Sequence, residues 1–246
     1  MADGQGRQYH QRLKLFYLLD YHTKNTDDQH LVMAMEIEEY FERIDVPSSR
    51  RSPYDGLPVE RWYEKTQQLV REHPLPPDVL VDAVLHAWDL IHGSVIGGHI
   101  TIGEDYFLTP QILGDFLHEL IPFDLSQYDS NFRKGITKTE KDITCDYDDH
   151  FSIEIKTSSQ KDIYGNRSYA QKSQRRPRAT KDKSGYYLAI NFPPVHKSEV
   201  WEPISQIRFG WLDAEDWQGQ ASQTGQQASL SRDVLQNKLI TLYEDR

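Results

Sequence analysis

The stretch His150-Phe-Ser-Ile-Glu-Ile-Lys-Thr-Ser158 decides the fold of this chain, because it combines a strand pattern with two charged residues on one face. Every second residue faces the same way, the alternation typical of a half-buried strand. The face expected to enter a core carries Phe151, Ile153, Ile155 and Thr157. On the opposite face Glu154 and Lys156 point the same way, roughly 6.6 Å apart at about 3.3 Å of rise per residue.

The residues just upstream repeat the alternation and predict a hairpin. Asp142-Ile-Thr-Cys-Asp-Tyr147 has the same period, and residues 148–150 are turn-like, so the two runs are expected to pair as antiparallel strands. If their apolar faces coincide, Asp142 lies across from Lys156 and diagonally near Glu154. Two neighbouring carboxylates repel each other unless a cation lies between them, and hard oxygen ligands suit Mg²⁺.

Asp142, eleven intervening residues and Glu154-x-Lys156 resemble the active-site pattern of the PD-(D/E)xK nucleases, although Lys141 stands where that pattern has proline. A lysine in this position could orient or activate a water, or stabilise the pentavalent phosphate. The same residues also fit a surface hairpin with a solvated Glu–Lys pair. The spacing by itself leaves both interpretations open.

A further carboxylate is expected from outside the hairpin, since in PD-(D/E)xK nucleases a helix before the hairpin often supplies one. Thr109-Pro110 begins a predicted helix that runs through Ile121, and Glu119 lies on its polar flank. Glu119 is therefore a catalytic candidate. Glu140, two residues before Asp142, competes with it, and a solvated helix glutamate is the alternative for Glu119.

Composition excludes several classes of protein. The 246 residues suffice for a sizeable core, and no apolar run approaches the roughly 20 residues of a membrane span. Nothing at the N-terminus resembles a signal peptide, and Cys145, the single cysteine, excludes an internal disulfide. A cytoplasmic protein is expected.

The charge is distributed unevenly along the chain. The formal net charge is −10, which by itself argues against nucleic acid, because affinity for DNA depends largely on neutralising phosphates. Between Gln160 and Lys183, however, there are eight basic and two acidic residues. This basic segment directly follows the Glu-x-Lys strand. A solvated loop is the alternative, but the position next to a candidate metal site favours contact with DNA.

The basic segment contains the side-chain types that contact DNA. Asparagine, arginine and glutamine read base edges, serine and tyrosine commonly hold phosphates, and lysine and arginine neutralise them. The DNA-binding candidates are Asn166, Arg167, Ser168, Tyr169, Gln171, Lys172, Arg175, Arg176, Arg178, Lys181 and Lys183.

The remaining chain predicts an α/β protein. Apolar periodicity and proline or glycine stops predict helices over 59–72, from Pro77 to the stop at Gly93, and from Pro110. Buried strands are predicted over 185–192 and 204–212, a helix is expected to begin at Asp213, and 234–243 could add either a strand or a helix.

Residues 1–51 are predicted to form a helical N-terminal extension, and residues 52–246 the main domain. The extension resembles the start of a winged helix-turn-helix of the WYL type found in bacterial regulators. It is truncated, because Pro53 and Gly56 interrupt the place where a recognition helix would continue. A helical hairpin that packs on the main domain or on a partner subunit is the alternative.

Seven blocks of sequence together are similar to the ScaI family of type II restriction endonucleases, over about residues 52–243. The blocks are Ser52-Pro-Tyr-Asp-Gly-Leu-Pro, Ile102-Gly-Glu-Asp-Tyr-Phe, Pro110-Gln-Ile-Leu-Gly-Asp-Phe-Leu-His-Glu-Leu-Ile-Pro, Phe151-Ser-Ile-Glu-Ile-Lys-Thr-Ser-Ser, Tyr164-Gly-Asn-Arg-Ser-Tyr-Ala-Gln, Lys183-Ser-Gly-Tyr-Tyr-Leu and Arg208-Phe-Gly-Trp-Leu-Asp. Their joint occurrence is far more specific than the Glu-x-Lys alone.

The resemblance implies a PD-(D/E)xK core, a central mixed sheet flanked by helices. It also implies Mg²⁺-dependent cleavage of both DNA strands at a short palindrome by a homodimer, with a cognate DNA methyltransferase acting on the same site. On this interpretation Asp142, Glu154 and the carbonyl of Ile155 bind Mg²⁺, and Lys156 orients the attacking water.

Two other functions remain open from the sequence. One is a non-catalytic DNA-binding regulator in which the N-terminal helices read DNA; the broken third helix and the acid–lysine patch argue against it. The other is a repair nuclease of the same fold that cuts selected DNA structures.

Overall fold

The computed structural model describes residues 52–170, 181–194, 203–220 and 226–245. The N-terminal extension lies outside the described residues, so its predicted helices and its boundary with the main domain stay predictions. The helices are α1 Trp62–Glu72, α2 Pro77–His92, α3 Pro110–Tyr128 and α4 Arg232–Asn237. The strands are β1 Val95–Ile96, β2 Ile100–Thr101, β3 Phe132–Lys134, β4 Ile143–Cys145, β5 Ile153–Ser158, β6 Gly165–Asn166, β7 Gly185–Asn191, β8 Gln206–Leu212, β9 Trp217–Gly219, β10 Gln227–Leu230 and β11 Ile240–Glu244.

A mixed six-stranded sheet forms the centre of the described fold, in the order β11-β8-β7-β5-β4-β3. Strands β5 and β7 pair in parallel, and the other neighbouring pairs are antiparallel. Every residue of β7 is buried, as expected for a central strand covered on both faces. A sheet of β6, β10 and β9 and the β1–β2 hairpin complete the strands. The predicted α/β class, with a mixed sheet flanked by helices, is confirmed.

Helix α3 covers the end of the sheet that carries the candidate site. Thr109 caps its N-terminus, where the threonine side chain accepts a hydrogen bond from the Ile112 amide. Its buried face includes Leu113, Leu117 and Ile121, four residues apart as one face of a helix requires. This face packs against β3 and β5, so α3 and the hairpin share one core.

Helix α3 touches β5 most closely at Gly114. A Cβ atom at this position would lie 2.6 Å from the Thr157 hydroxyl oxygen, far inside van der Waals contact. Glycine therefore allows the helix backbone to approach the strand, and the distance between α3 and the site-bearing strand is set at this point.

The end of α3 differs from the sequence prediction. The predicted helix stops at Ile121 because Pro122 follows, but α3 continues to Tyr128 with Pro122 inside it. Proline removes one backbone hydrogen bond from a helix. Ile121, Pro122 and Leu125 are all buried, so packing on the core offsets that loss.

One element near the C-terminus also differs from expectation. The helix predicted from Asp213 is a short 3-10 turn, Ala214–Asp216, followed by strand β9 at Trp217. The reason is local: Asp213 and Asp216 cap each other's backbone amides in a capping box, and Trp217 then pairs with β10 instead of extending the turn. The final stretch holds both α4 and β11, which the sequence left as alternatives. No helix in the described ranges is long and apolar enough to cross a membrane.

Candidate active site

The predicted hairpin exists, but its register differs from the prediction. Ile143 of β4 pairs with Ile153 of β5, which places Asp142 beside Glu154 instead of across from Lys156. The connection causes the shift, because Asp149–Phe151 forms a 3-10 turn and takes up residues that strand alternation had assigned to β5. The change brings the two acids closer together than expected.

Asp142 is held at the end of β4 by the neighbouring strand. Its Oδ2 atom accepts a hydrogen bond of 2.8 Å from the Ile155 backbone amide. The side chain remains about one-fifth exposed, so this carboxylate is fixed in orientation and still open to the outside. The bond joins the two strands at the position where the candidate site lies.

Glu154 lies almost completely buried among cations. Its Oε1 atom accepts hydrogen bonds from the Lys156 ammonium at 2.7 Å and from the Tyr169 hydroxyl at 2.5 Å. Burial by itself raises the pKa of this carboxyl, but the Lys156 and Lys181 ammonium groups outweigh that effect and lower the pKa to about 2. Glu154 is therefore ionised throughout the neutral range.

Lys156 and Tyr169 form a stacked pair over Glu154. The Lys156 ammonium lies 4.7 Å from the centre of the Tyr169 ring, within the range of a cation–π interaction. It also donates to the Ile155 carbonyl at 3.2 Å. The ring packs edge-on against Trp217 at 5.0 Å, and burial raises the pKa of the Tyr169 hydroxyl. Tyr169, predicted as a DNA contact, thus lies in direct contact with two candidate catalytic groups.

Lys181 contacts both Asp142 and Glu154. Its ammonium nitrogen lies 3.0 Å from Asp142 Oδ1 and 2.5 Å from Glu154 Oε2. The second contact is a close ion pair with the buried Glu154 Oε2, for which the described residues provide no other partner. A positive charge therefore lies between two carboxylates that would otherwise repel each other.

His118 of α3 adds a neutral group beside the acids. Its Nδ1 atom is 3.7 Å from Asp142 Oδ2, and burial lowers the pKa of His118 although the Asp142 carboxylate acts in the opposite direction. The sequence analysis did not single out His118. Its position could have been inferred, because it lies four residues after Gly114 and so faces the same side of α3, toward β5.

A cavity of about 300 Å³ opens beside Asp142. Most of its wall is polar, and four lysines and three carboxylates line it. The lysines suit an anionic ligand such as a phosphate. The lining residues are His118, Glu119, Lys134, Gly135, Thr137, Lys138, Glu140, Lys141, Asp142 and Lys181.

The two candidate extra carboxylates both line this cavity, and both have partners. Glu119 is 57% exposed and forms an ion pair with Lys134. Glu140 accepts hydrogen bonds from Arg133 and from the amides of Ile136 and Thr137, and the bond from Arg133 above all lowers its pKa to about 2. Neither has a bond to Asp142 or Glu154 in the described residues, so which of them acts in the site stays open.

The predicted DNA contacts fall into three groups. Tyr169 and Lys181 lie in the acid cluster. Asn166 and Ser168 are exposed and bond to each other, and the Lys183 ammonium donates to the Ser168 carbonyl. Outside the described part are the Arg167 side chain and Gln171, Lys172, Arg175, Arg176 and Arg178.

The oxygen atoms present fit a divalent cation. Asp142 and Glu154 supply two carboxylates and Ile155 a backbone carbonyl, the hard oxygen donors that Mg²⁺ selects, and Mg²⁺ usually keeps several waters as its other ligands. Within the described ranges no three His, Cys, Asp or Glu side chains form a ligand set of their own. The buried Glu154 Oε2 and the ammonium lodged between the acids both indicate a place for positive charge.

Comparison with known proteins identifies the family of this chain. The family model "ScaI restriction endonuclease" matches residues 52–243. The type II restriction enzyme ScaI of Streptomyces caespitosus is 43% identical over 199 residues, which cover 80% of this chain and 87% of that protein. No solved structure matches the chain. Both the α/β fold and the relatedness are thus established, and the chain belongs to the ScaI restriction endonuclease family.

Proposed function

We propose that this protein cleaves both strands of duplex DNA at a short palindromic site in a Mg²⁺-dependent reaction. Membership of a restriction endonuclease family makes the chain a site-specific deoxyribonuclease; the metal, the palindrome and the residue roles are the proposal. The observation that carries it is the cluster of Asp142, Glu154 and Lys156 beside a polar cavity whose wall includes four lysines.

Asp142, Glu154 and the Ile155 carbonyl would hold Mg²⁺. When bound, the metal supplies positive charge for the phosphate oxygens and for the attacking water. The protein prepares this place in advance. The Ile155 amide fixes Asp142, while Lys156 and Tyr169 fix Glu154, so neither carboxylate has to reorganise greatly when the acids are used.

Lys156 is assigned to the water and the phosphate. Its ammonium is tied to Glu154 Oε1 and projects over the same strand face, so it can hold a water by a hydrogen bond to the water oxygen. Attack by that water on phosphorus forms one P–O bond and breaks the bond to the leaving sugar oxygen. The water gives up a proton to solvent, and the leaving oxygen takes up a proton from solvent. Charge that develops on the phosphate is then stabilised by the ammonium.

DNA binding is assigned to the basic side of the site. Lys134, Lys138 and Lys181 line the cavity, and the segment that follows β5 adds the exposed side chains of Asn166 and Ser168. Phosphate contacts by these lysines would position the duplex, while amide and hydroxyl groups would contact base edges or sugars. Asn166, Ser168 and Lys181 belong to the basic segment between Gln160 and Lys183, which also holds the predicted contacts outside the described residues.

A palindromic site requires two active sites related by a two-fold axis, and we therefore propose a homodimer. We further propose that residues 52–246 form the nuclease domain and residues 1–51 a separate extension. A methyltransferase that modifies the same site would protect the host DNA, so the bacterial cytoplasm is the expected location.

The deciding experiment is incubation of the purified protein with long DNA of diverse sequence in Mg²⁺, with Ca²⁺ and EDTA controls, followed by sequencing of product ends. Discrete fragments whose ends share one palindrome, formed only with Mg²⁺, would support the proposal. Cuts at random sequence or at DNA structures would indicate a repair nuclease. Retarded but uncut DNA would overturn the catalytic assignment in favour of a DNA-binding regulator.

A further inference from the structure

Lys181 occupies the two acid oxygens that the rest of the described site leaves open. Asp142 Oδ2 already accepts the Ile155 amide, and Glu154 Oε1 already accepts two donors. The Lys181 ammonium contacts the other oxygen of each acid, Asp142 Oδ1 and Glu154 Oε2. These are the oxygens that an incoming divalent cation would need.

The backbone next to Lys181 is anchored, so the ammonium is delivered to this place by a fixed segment. The buried Lys141 ammonium donates to the carbonyl of Asp182 at 3.0 Å and to that of Ser184 at 2.8 Å. Ser184 in turn accepts a hydrogen bond from the Ala214 amide at 3.0 Å. Lys141, which replaces the proline of the nuclease pattern, thereby ties the chain after Lys181 to the strand end that carries Asp142.

We propose that Lys181 is a built-in counter-ion, which neutralises Asp142 and Glu154 in the metal-free protein and leaves them when a divalent cation binds. This inference deepens the proposed function and rests on it, because a metal-dependent nuclease needs those oxygens. A lysine suits the task, since its ammonium is a compact charge on a flexible stem. Only the side chain has to move, while the anchored backbone stays in place.

The Lys181 ammonium, once released from the acids, can turn into the cavity beside Asp142. Lys181 lines the cavity beside Asp142, together with the exposed Lys138, so its ammonium can turn from the acids toward a DNA phosphate held there. Metal binding would thus free Lys181 for DNA, and DNA would free the acids for metal. Because coupling between two binding events is reciprocal, each ligand should raise the affinity for the other.

The test measures binding of Ca²⁺ to the full chain without DNA, by calorimetry. Lys181→Met keeps the length of the side chain and removes the charge. Lys138→Met makes the same charge change on the same cavity without touching the acids, and serves as the matched control. A like charge this close shifts the binding of a cation by a factor of roughly ten or more. Lys181→Met is therefore expected to bind Ca²⁺ about tenfold tighter, and Lys138→Met to bind it almost as the wild type does.

A second measurement tests the coupling. Duplex DNA containing the cleavage site is titrated with and without Ca²⁺; Ca²⁺ should tighten DNA binding by the wild type more than by Lys181→Met. Lys181→Arg, which retains the charge, should restore the wild-type Ca²⁺ affinity. If the methionine variant does not fold, as judged by thermal unfolding, Lys181→Gln replaces it.

The outcomes separate this inference from the proposed function. Unchanged or weaker Ca²⁺ binding in a folded, uncharged variant at 181 overturns the counter-ion, even if the wild type cuts DNA. A wild type that cuts no DNA overturns the proposed reaction, while tighter Ca²⁺ binding in the variant would still support displacement of Lys181 by metal.

Discussion

The described part of the molecule contains two lysine–carboxylate clusters in different surroundings. In the first, Lys156 and Lys181 contact Asp142 and Glu154 beside an open cavity. In the second, Lys238 contacts Asp213 and Asp216 in the interior, where its side chain is 3% exposed. The first cluster can exchange its ions for ligands, and the second cannot.

The interior cluster is closed by its own hydrogen bonds. Asp213 also accepts from the Ser52 hydroxyl and the Trp211 ring nitrogen, and the Lys238 ammonium lies 4.2 Å from the centre of the Tyr54 ring. In the candidate site, by contrast, the Lys181 ammonium is the partner of the buried Glu154 Oε2 within the described part of the chain. An ion cluster that opens on a cavity is therefore a candidate functional site. An ion cluster that is buried and closed by its own hydrogen bonds stabilises the fold.

Removal of Lys156 from the candidate site should cause the largest loss of cleavage activity. In Lys156→Ala the water and the phosphate lose their ammonium, so we expect cleavage to fall at least about a thousandfold, as when a group that stabilises the transition state is removed. Binding of DNA in Ca²⁺ should be largely retained. Cleavage is measured on a duplex with the mapped site, and cutting at the wild-type rate would remove Lys156 from the mechanism.

Removal of Lys238 should affect stability instead. Lys238→Ala leaves two buried carboxylates without their cation, which costs about 3–5 kcal/mol in the free energy of unfolding. Urea unfolding measures this loss. The control is Lys65→Ala on α1, a half-buried lysine whose ammonium bonds to Gln68 at the helix surface; it should stay within about 0.5 kcal/mol of wild type.

The pH dependence of the stability loss in Lys238→Ala shows whether the buried aspartates cause it. Burial raises the pKa of Asp216, and loss of Lys238 should raise it further. An acid with a raised folded pKa binds its proton more tightly in the folded protein, so the stability penalty is relieved as pH falls through that pKa. The loss in Lys238→Ala should therefore be smaller at pH 4 than at pH 8. A loss that is equal at both pH values would mean that the aspartates do not cause it.

Tyr169→Phe is a milder change at the open cluster. It removes the hydroxyl that bonds to Glu154 and keeps the ring that lies under Lys156. We expect kcat to fall about tenfold, the effect of one lost bond to a charged group, with little change in KM. Tyr164→Phe removes a hydroxyl from the same segment and is the control. Equal kcat values for the two variants would contradict a positioning role for Tyr169.

The smallest expected effect concerns the cavity wall. Lys138 is exposed and lines the cavity, so Lys138→Ala should reduce the slope of log affinity against log salt by about one, the contribution of a single phosphate contact. Fluorescence anisotropy in Ca²⁺ measures the slope, and Lys65→Ala should leave it unchanged. If the slope of Lys138→Ala equals that of wild type, DNA does not lie on this side of the cavity.

The open cluster was partly predictable from sequence. Strand periodicity places Glu154 and Lys156 on one face and brings Asp142 near them, because alternation on a strand fixes direction. It could not give the register, since the 3-10 turn Asp149–Phe151 has no period-two signature. Nor could it give the contacts of Lys181, because 24 residues of chain without a simple period separate it from Lys156.

The interior cluster was not predicted at all. Lys238 lies in a stretch where the sequence allowed a strand or a helix, and its partner Asp213 was assigned to start a helix. Their meeting depends on packing between α1, α4 and the end of β8, which local patterns do not encode. Helix α3 likewise passes Pro122 because tertiary burial outweighs local preference.

Gly114 has a consequence for how chains of this family diverge. Its backbone rests on Thr157 with no room for a methyl group, so drift at position 114 would push the helix away and carry His118 from the acids. Among relatives that keep the helix at this distance, we expect position 114 to remain glycine, while the exposed positions of the same helix change freely. A glycine at this position in the sequence of a related protein would therefore indicate that its helix lies at the same distance from the strand that carries the site.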